Sequence, residues 1–411
     1  MTTLPLEGYR VIDFGTAWAG PQVAQILSDF GAEVIKIESR ARMDGLRMGR
    51  PIVSDKVAAG DQGQEPELQP LFHALNRGKL SVTLDYKNPK GRELLLKLAA
   101  KSDVVTENYS PGVLDRAGLG YNDLKEVKRD IVMLSLSAAG ATGPLSDVVA
   151  YAPTMMALGG MMGLTGYENE RVLMPWSGYG DANAALHGVF AIMAALRYRN
   201  QTGKGQHIDL SEVDACASLL GYPIMDYVMN GRVARPQGNH SMLMAPHNIY
   251  RCQGDDAWVA IAVASDAEFR GLCGVIGRPE LAKDPRFGDA YLRIQNHAAL
   301  DDAVAAWTKA REPRDAADTL QAAGVAAEPV MNIQDNYFDP HLQERKSFVE
   351  IEHSVIGAIT LPAVPWRLSE TPGRIRRPAP TLGQHNEHVC RDVLGLSADE
   401  FQALEREKVF G

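Results

Sequence analysis

The residues best suited to chemistry in this chain lie in one short string, "SGYGDANAALHG" at 177–188. A single carboxylate, Asp181, stands between a glycine-spaced turn and a long run of small and apolar residues. Two readings of that position are open. Aspartate just before a helix, with glycine ahead of it, is ordinary N-cap chemistry. The same place suits a nucleophile, because a helix N-terminus offers free N–H groups that keep a carboxylate ionised and stabilise an oxyanion beside it. Gly178, Gly180, Ala182, Ala184 and Ala185 leave room for a substrate to approach. A carboxylate that attacks an acyl centre forms a mixed anhydride, a covalent intermediate.

Other chemistries lack their residues. The first strand is followed by "GTAWAGP" (15–21), which departs from the G-x-G-x-x-G dinucleotide fingerprint. "TGKGQ" (202–206) has neither the spacing nor the Ser or Thr of a phosphate-binding P-loop, and no G-x-S-x-G nucleophile elbow occurs. His385 and His388 in "HNEHVC" have no third ligand nearby and read as a solvated helix start, so no metal site is expected. Cys216, Cys252, Cys273 and Cys390 are scattered, as buried free thiols in a reducing cytoplasm would be. The N-terminal "MTTLPLEGYRVIDFG" lacks a signal-peptide pattern, and no apolar run is long enough to span a membrane. A net charge of −9 argues against general nucleic-acid binding, though not against an anionic small ligand held by a local Arg and Lys cluster.

These residues must be positioned by a scaffold. A length of 411 residues favours two domains. Strand patterns at 9–14, 32–38, 80–85, 103–108 and 130–137 alternate with helix patterns at 21–31 and 88–102, the signature of βαβ units and a parallel sheet. A polar stretch at 53–68 reads as surface loop. The helix from Asp181 leads through a turn into a strand ending near 211, so residues 1 to about 210 form one doubly wound α/β domain. A hairpin at 248–264, helices at 266–276, 299–311 and 312–324, and a strand at 325–332 predict a smaller α+β domain. From about 335 the chain is proline-rich and short of periodicity until a terminal helix at 397–409, opened by the capping-box pair Ser397 and Glu400.

Several strings taken together carry a resemblance: "LEGYRVIDFGTAWAGP" at the start, "DFGAEVIKIE" (29–38), "NRGKLSVTLD" (76–85) and "TENYSPGVLDRAGLGY" (106–121). "YGDANAALHG" (179–188), "RNQTGKGQHIDLS" (199–211) and "PTLGQHNEHVCRDVLGLS" (380–397) follow in the same order. Over nearly its whole length the chain resembles the class III CoA-transferases, the CaiB/BaiF-type family that includes formyl-CoA transferases. The resemblance implies an α/β fold with a Rossmann-like large domain (1–210 and 335–411), to which the C-terminal segment returns. A linker and small α+β domain would occupy 211–334, with a core at about 225–330. It further implies a ring-shaped monomer that forms an interlocked homodimer, or pairs with a paralogous subunit. The aspartate matching Asp181 attacks an acyl-CoA thioester, and the acyl group passes through aspartyl-anhydride and enzyme–CoA thioester intermediates. Coenzyme A enters as substrate and no resident cofactor is implied.

By position in those motifs, Ala17, Arg40, Lys79, Asn108, Tyr109 and Arg116 fall to CoA binding, with Tyr109 against the adenine and the three cations paired to phosphates. Without the resemblance, each cation reads as a solvated surface charge. Leu80 follows Lys79 where many relatives carry a second basic residue, and Arg40 comes one place late after Glu38. Trp18 stands where formyl-CoA transferases carry Gln, and "SAAGATG" (137–143) lacks the Lys and Tyr of that subgroup. "NHSMLMAPHN" (239–248) replaces its glycine-rich covering loop, so Met242 and Met244 read either as core or as an apolar lid over a bulky acyl group. His247 and His240 are candidates for gripping a second carboxylate. The expected donor is succinyl-CoA, and the expected acceptor an aromatic or branched acid such as benzylsuccinate or phenyllactate. The alternatives are a non-catalytic partner subunit and an α-methylacyl-CoA racemase. Racemases carry G-H-D-[IV]-N-Y about 30 residues before this aspartate, whereas Tyr151 stands here where the histidine base would be.

Overall fold

A computed structural model describes residues 4–48 and 65–410. Contacts divide the chain into two compact units, Met1–Met161 with Pro175–Gly231 and Gln343–Gly411, and Met162–Met174 with Arg232–Leu342. The boundaries differ from those read at 210 and 335. Residues 212–231 stay with the first unit because Ala215 accepts a hydrogen bond from Asn183 Nδ2 at 2.9 Å. Residues 162–174 join the second, where Gly166 pairs with Val172 and accepts a 2.9 Å bond from Gly238 N.

In the first unit β1 (Arg10–Asp13) runs through α1 (Ala19–Asp29) to β2 (Glu33–Glu38). Next come β3 (Leu80–Thr83), α2 (Pro89–Ala100), β4 (Val104–Glu107), β5 (Val132–Ser137), α3 (Tyr179–Thr202) and β6 (Gln206–Ser211). Two further helices close the series, α4 (Glu212–Ala217) and α5 (Gly221–Asn230). All six strands pair in parallel in the order β3-β2-β1-β4-β5-β6. Their period of two splits the apolar residues between two cores. Ile12, Ile35 and Val105 face Leu95 and Leu98 of α2, while Val11, Val34 and Val104 face Leu27 of α1 and Ile192 of α3. Such a sheet places its ligand crevice beyond the carboxyl ends of the strands where the winding reverses, here between β1 and β4.

α1 and α3 lie close enough that a Cβ on Gly188 would stand 3.1 Å from Val23 Cγ2 and 3.0 Å from Leu134 Cδ2. The C-terminal segment packs on the opposite face, where Phe401 and Phe410 join the α2 core. Thr83 Oγ1 donates to Phe410 O at 3.0 Å, and Asn386 Oδ1 accepts from Thr83 N at 2.9 Å. His385, the expected helix start, is the N-cap of a short helix at Asn386–His388, but its Nδ1 accepts from Ser81 N at 3.1 Å, which ties it to β3 while His388 stays exposed.

In the second unit β7 (His247–Arg251), β8 (Trp258–Ala262) and β9 (Ala326–Pro329) form an antiparallel sheet. α6 (Asp266–Val275), α7 (His297–Thr308) and α8 (Pro313–Ala322) cover it through Phe269, Leu300, Trp307 and Leu320. The stretch after 335 is more regular than its composition suggested. Two short helices, Ile333–Phe338 and Pro340–Glu344, precede a hairpin of β10 (Phe348–His353) and β11 (Gly357–Pro362). The signal was the alternation Val349-Glu350-Ile351-Glu352, closed by Gly357 at φ 73°. α9 (Ala398–Arg406) begins with the expected capping box, Glu400 N donating to Ser397 Oγ and Ser397 N to Glu400 Oε2. The loop expected at 53–68 lies outside the described residues up to 64, and Glu65–Glu67 form one 3₁₀ turn. The four cysteines are free and buried, and no helix among the described residues is long and apolar enough to cross a membrane.

Candidate active site

The turn from β1 to α1 is fixed from below by buried polar groups. Asp13 Oδ1 accepts from Gly15 N at 2.7 Å, while Asp13 Oδ2 accepts from Lys79 Nζ at 2.7 Å. Lys79 also donates to Pro21 O and to Asn76 Oδ1, at 2.8 and 2.9 Å. Lys36 Nζ reaches Gly15 O at 2.6 Å and Asp44 Oδ2 at 3.1 Å, and Asp44 Oδ1 accepts from Ala17 N at 3.1 Å. From β4 comes Asn108, whose Oδ1 accepts from Thr16 N at 2.8 Å and whose Nδ2 donates to Thr16 O at 2.9 Å. Ala17 is thereby held at φ 59°, in the left-handed region. A Cβ on Gly20 would fall 2.6 Å from Asn108 Oδ1, so this close approach requires glycine.

Asp181 does not cap its helix. α3 begins at Tyr179 with Gly178 as its N-cap, which places Asp181 third in the first turn. Its own backbone N–H and that of Ala19, the first residue of α1, favour the charged form of the carboxylate. The positive ends of two helices thus meet at one half-buried carboxylate. Burial nevertheless outweighs them and lifts its pKa from 3.8 to about 6. Sequence reasoning expected the helix end to dominate. At neutral pH the group remains mostly ionised, and it is a stronger base than an exposed aspartate.

Beside it stands a residue the sequence reading missed. Glu212, first in α4, is 5 % exposed, and its Oε2 has no hydrogen-bond partner. Burial, and then the charge of Asp181, push its pKa to about 8. Two neighbouring carboxyls with separated pKa values divide the roles of anion and neutral acid between them. The only cue was an acidic residue directly after the strand "HIDLS", which also reads as a helix-start acid. Trp176 was missed too. It meets Trp18 edge to face, ring centroids 5.1 Å apart with planes at 79°, and a Cβ on Gly178 would lie 2.8 Å from Trp18 and 3.0 Å from Trp176. Two indoles therefore wall the approach to the first turn of α3.

The residues expected to bind CoA separate into groups. Ala17, Asn108 and Tyr109 come together at the carboxyl ends of β1 and β4. Tyr109 is half-buried, and its surroundings include the charge of Arg42, a cation the sequence reading passed over in favour of Arg40. Arg40 is exposed, its Nη2 3.5 Å from Leu382 O, and Arg116 folds its exposed guanidinium back toward Gly112. Lys79 corrects the expectation. It is fully buried, with all three of its N–H donors engaged, and burial pulls its pKa down to about 8 against the opposing charge of Asp13. It positions the turn and presents nothing to a phosphate. Met242, Met244 and His247 belong to the second unit, where His247 Nδ1 lies 2.6 Å from Asn239 O and His240 Nε2 lies 2.9 Å from Asp301 Oδ2.

A family model described as CoA-transferase family III matches residues 6–386. Among similar proteins is a succinyl-CoA–D-citramalate CoA-transferase of Chloroflexus aurantiacus, 33 % identical over 98 % of both chains. The beta subunit of a succinyl-CoA–L-malate CoA-transferase from the same organism is 34 % identical, covering 99 % of this chain and 98 % of that one. A crystal structure of a CAIB/BAIF family protein from Brucella suis superposes with a TM-score of 0.85 at 33 % identity, over 96 % of this chain and all of that one.

Two outcomes follow from the site's electrostatics. Lys79→Ala leaves Asp13 buried without its cation and is expected to cost about 3–5 kcal/mol in denaturant melts. Unchanged stability with a raised KM for CoA would return Lys79 to phosphate binding. Glu212 holds a proton in the folded chain between roughly pH 4.5 and 8, where the unfolded chain has lost it, so its contribution to stability falls as pH rises through that window. Glu212→Gln should therefore raise Tm at pH 8 and flatten the dependence of Tm on pH. An unaltered slope would show that Glu212 is ionised.

Proposed function

The chain belongs to CoA-transferase family III, and we propose that it transfers CoA through covalent chemistry at Asp181. An Asp181 oxygen attacks the thioester carbonyl, the C–S bond breaks, and an aspartyl–acyl anhydride and free CoA thiolate result. The thiolate attacks the aspartyl carbonyl, releasing the first carboxylate and leaving an enzyme–CoA thioester. The acceptor carboxylate displaces the thiolate to form a second anhydride. Thiolate attack on the acceptor's acyl carbon then gives the new thioester and restores Asp181. Every step exchanges a carboxylate for a thiolate, with no net proton transfer. The observation that carries this reading is the half-buried Asp181 in the first turn of α3, where its own N–H and that of Ala19 favour negative charge of the kind that builds on an acyl oxygen. Ala17, Asn108 and Tyr109, with Arg40, Arg42 and Arg116 near the rim, would take the CoA.

The proposed donor is succinyl-CoA, in line with what the Chloroflexus relatives' names say of those proteins. The Trp18 and Trp176 wall supports an aromatic or branched acceptor, of which benzylsuccinate and phenyllactate are examples. A further reading concerns assembly. α5 has no buried residue and exposes Ile224, Met225, Tyr227, Val228 and Met229, an apolar face of the kind that marks a subunit interface. We propose an interlocked homodimer, the alternative being a pair with a paralogue, as the alpha and beta subunits named among the relatives suggest for those proteins.

Asp181→Asn is expected to lower turnover by at least ~10³-fold while CoA affinity changes only a few-fold. Wild-type protein given acyl-CoA and hydroxylamine should lose activity with a hydroxamate on the Asp181 peptide, and an unmodified peptide in inactivated enzyme would reject the anhydride. Because only the ionised carboxylate attacks, kcat/KM should fall about tenfold per pH unit below pH 6. In a panel of acids with succinyl-CoA, Trp18→Ala should lose more activity toward aromatic acceptors than toward malate. Equal losses would remove the aromatic preference. Light scattering of the chain purified alone should give at least twice the chain mass, and an inactive monomer would favour a missing partner subunit.

A further inference from the structure

Among the described residues, one group of three side chains outside the Asp181 site offers metal-ligand atoms in mutual reach: His240, His297 and Asp301. All three lie in the second unit. His297 and Asp301 are four residues apart in α7, which puts them on one helix face, and His240 reaches them from the segment before β7. His240 Nε2 is 2.9 Å from Asp301 Oδ2, His297 Nδ1 is 3.6 Å from the same oxygen, and all three donor atoms fit within 4.8 Å. A tetrahedral ion with ligands ~2.0–2.1 Å away separates them by about 3.3 Å, so only a small adjustment would admit one.

Two observations besides proximity point to a ligand. His297 Nδ1 is buried and has no hydrogen-bond partner, an arrangement that leaves a nitrogen aimed into the cluster unused. Asp301 is oriented from behind, as metal-binding carboxylates are, by Tyr250 Oη, which donates to its Oδ1 at 2.5 Å; Asn248 Nδ2, now 3.2 Å from Oδ2 and 3.3 Å from His240 Nε2, would turn aside for an ion. The imidazoles pack against each other with ring centroids 4.0 Å apart, which restricts both rings. Two imidazole nitrogens and one carboxylate oxygen suit a first-row divalent ion rather than Mg²⁺ or Ca²⁺, which prefer all-oxygen shells.

We propose that His240, His297 and Asp301 bind one divalent transition-metal ion of the zinc class, with a coordination position left open. Such an ion would join the segment carrying His240 to α7 in place of the direct His240–Asp301 contact. Spacing alone does not reveal this cluster, because the three residues are spread over some sixty positions without a C-x-x-C or H-x-x-x-H string. Its test reads metal binding and does not depend on the acyl chemistry.

The full chain, stripped by chelator and returned to a non-coordinating buffer near pH 7.5, would be titrated with Zn²⁺ by calorimetry and with Co²⁺ by absorption. The expected result is one equivalent per chain, with visible d–d bands from cobalt of low coordination number. His297→Ala and His240→Ala should each weaken binding at least tenfold and abolish the bands. Tyr250→Phe, which leaves all three ligands in place, should weaken it about tenfold by freeing the carboxylate. Circular dichroism confirms that each variant is folded, and the exposed edge of His297 makes His297→Asn a second tolerated change. Absence of stoichiometric binding, or undiminished binding in both His297 variants, overturns the proposal.

Discussion

Lys79, with Asp13, holds the position on which the rest of the site depends. Both side chains are fully excluded from solvent, and the ammonium satisfies three acceptors that belong to β1, the first turn of α1 and the stretch before β3. Lys36 and Asp44 form a second buried pair against the same turn. Burial opposes the charge of Lys36, yet Asp44, Asp13 and Glu38 together raise its pKa above the ordinary value. Buried pairs of this kind add little net stability over an apolar core of equal volume, because desolvation offsets most of the attraction. Their effect is geometric. A charge with every donor engaged tolerates only a narrow range of backbone positions, and that range fixes the β1–α1 turn from which α1 begins.

That constraint governs the chemistry through a competition. Two helix ends favour the charged form of Asp181, while the apolar walls disfavour it, and the walls win by lifting the pKa to about 6. A carboxylate in that condition is basic enough to attack an acyl carbon and acidic enough to stay ionised at neutral pH. Trp18 and Trp176 meet beside Gly178, the N-cap of the same helix, and so shape what can approach its first turn.

Much of this was readable from residue types. The βαβ alternation gives the parallel sheet, the small residues around Asp181 give the close approach of α1 to α3, and Asn108 follows β4 where a crevice residue belongs. Other features depend on where long side chains end, which spacing does not encode. Lys79 reads by default as a solvated surface cation, yet its ammonium lies beneath the β1–α1 turn. Arg40 and Arg42 are alternate residues in one loop, and only the fold tells which faces Tyr109. Glu212 was invisible for the same reason, since an acid at a helix start is ordinary until its burial is known. The β10–β11 hairpin is different. Its alternation was present, but the surrounding prolines masked it.

The burial of Glu212 also bears on how two anions share one site. In the proposed exchange each acid leaves or enters as a carboxylate, so negative charge repeatedly passes the first turn of α3. A second fixed anion there would repel each acid as it arrives, by ~3 kcal/mol for charges 6 Å apart at an effective dielectric of 20. Glu212 avoids this because its pocket supplies no partner for an ionised Oε2 and the charge of Asp181 opposes a second one. Its proton therefore stays on across the pH range in which Asp181 is ionised but Glu212 is not, from about 6 to about 8. Once Asp181 is acylated it carries no charge, and the pressure that keeps Glu212 protonated relaxes. The neutral acid is most strongly enforced in the free enzyme, when the nucleophile is charged and the first acyl group has yet to arrive.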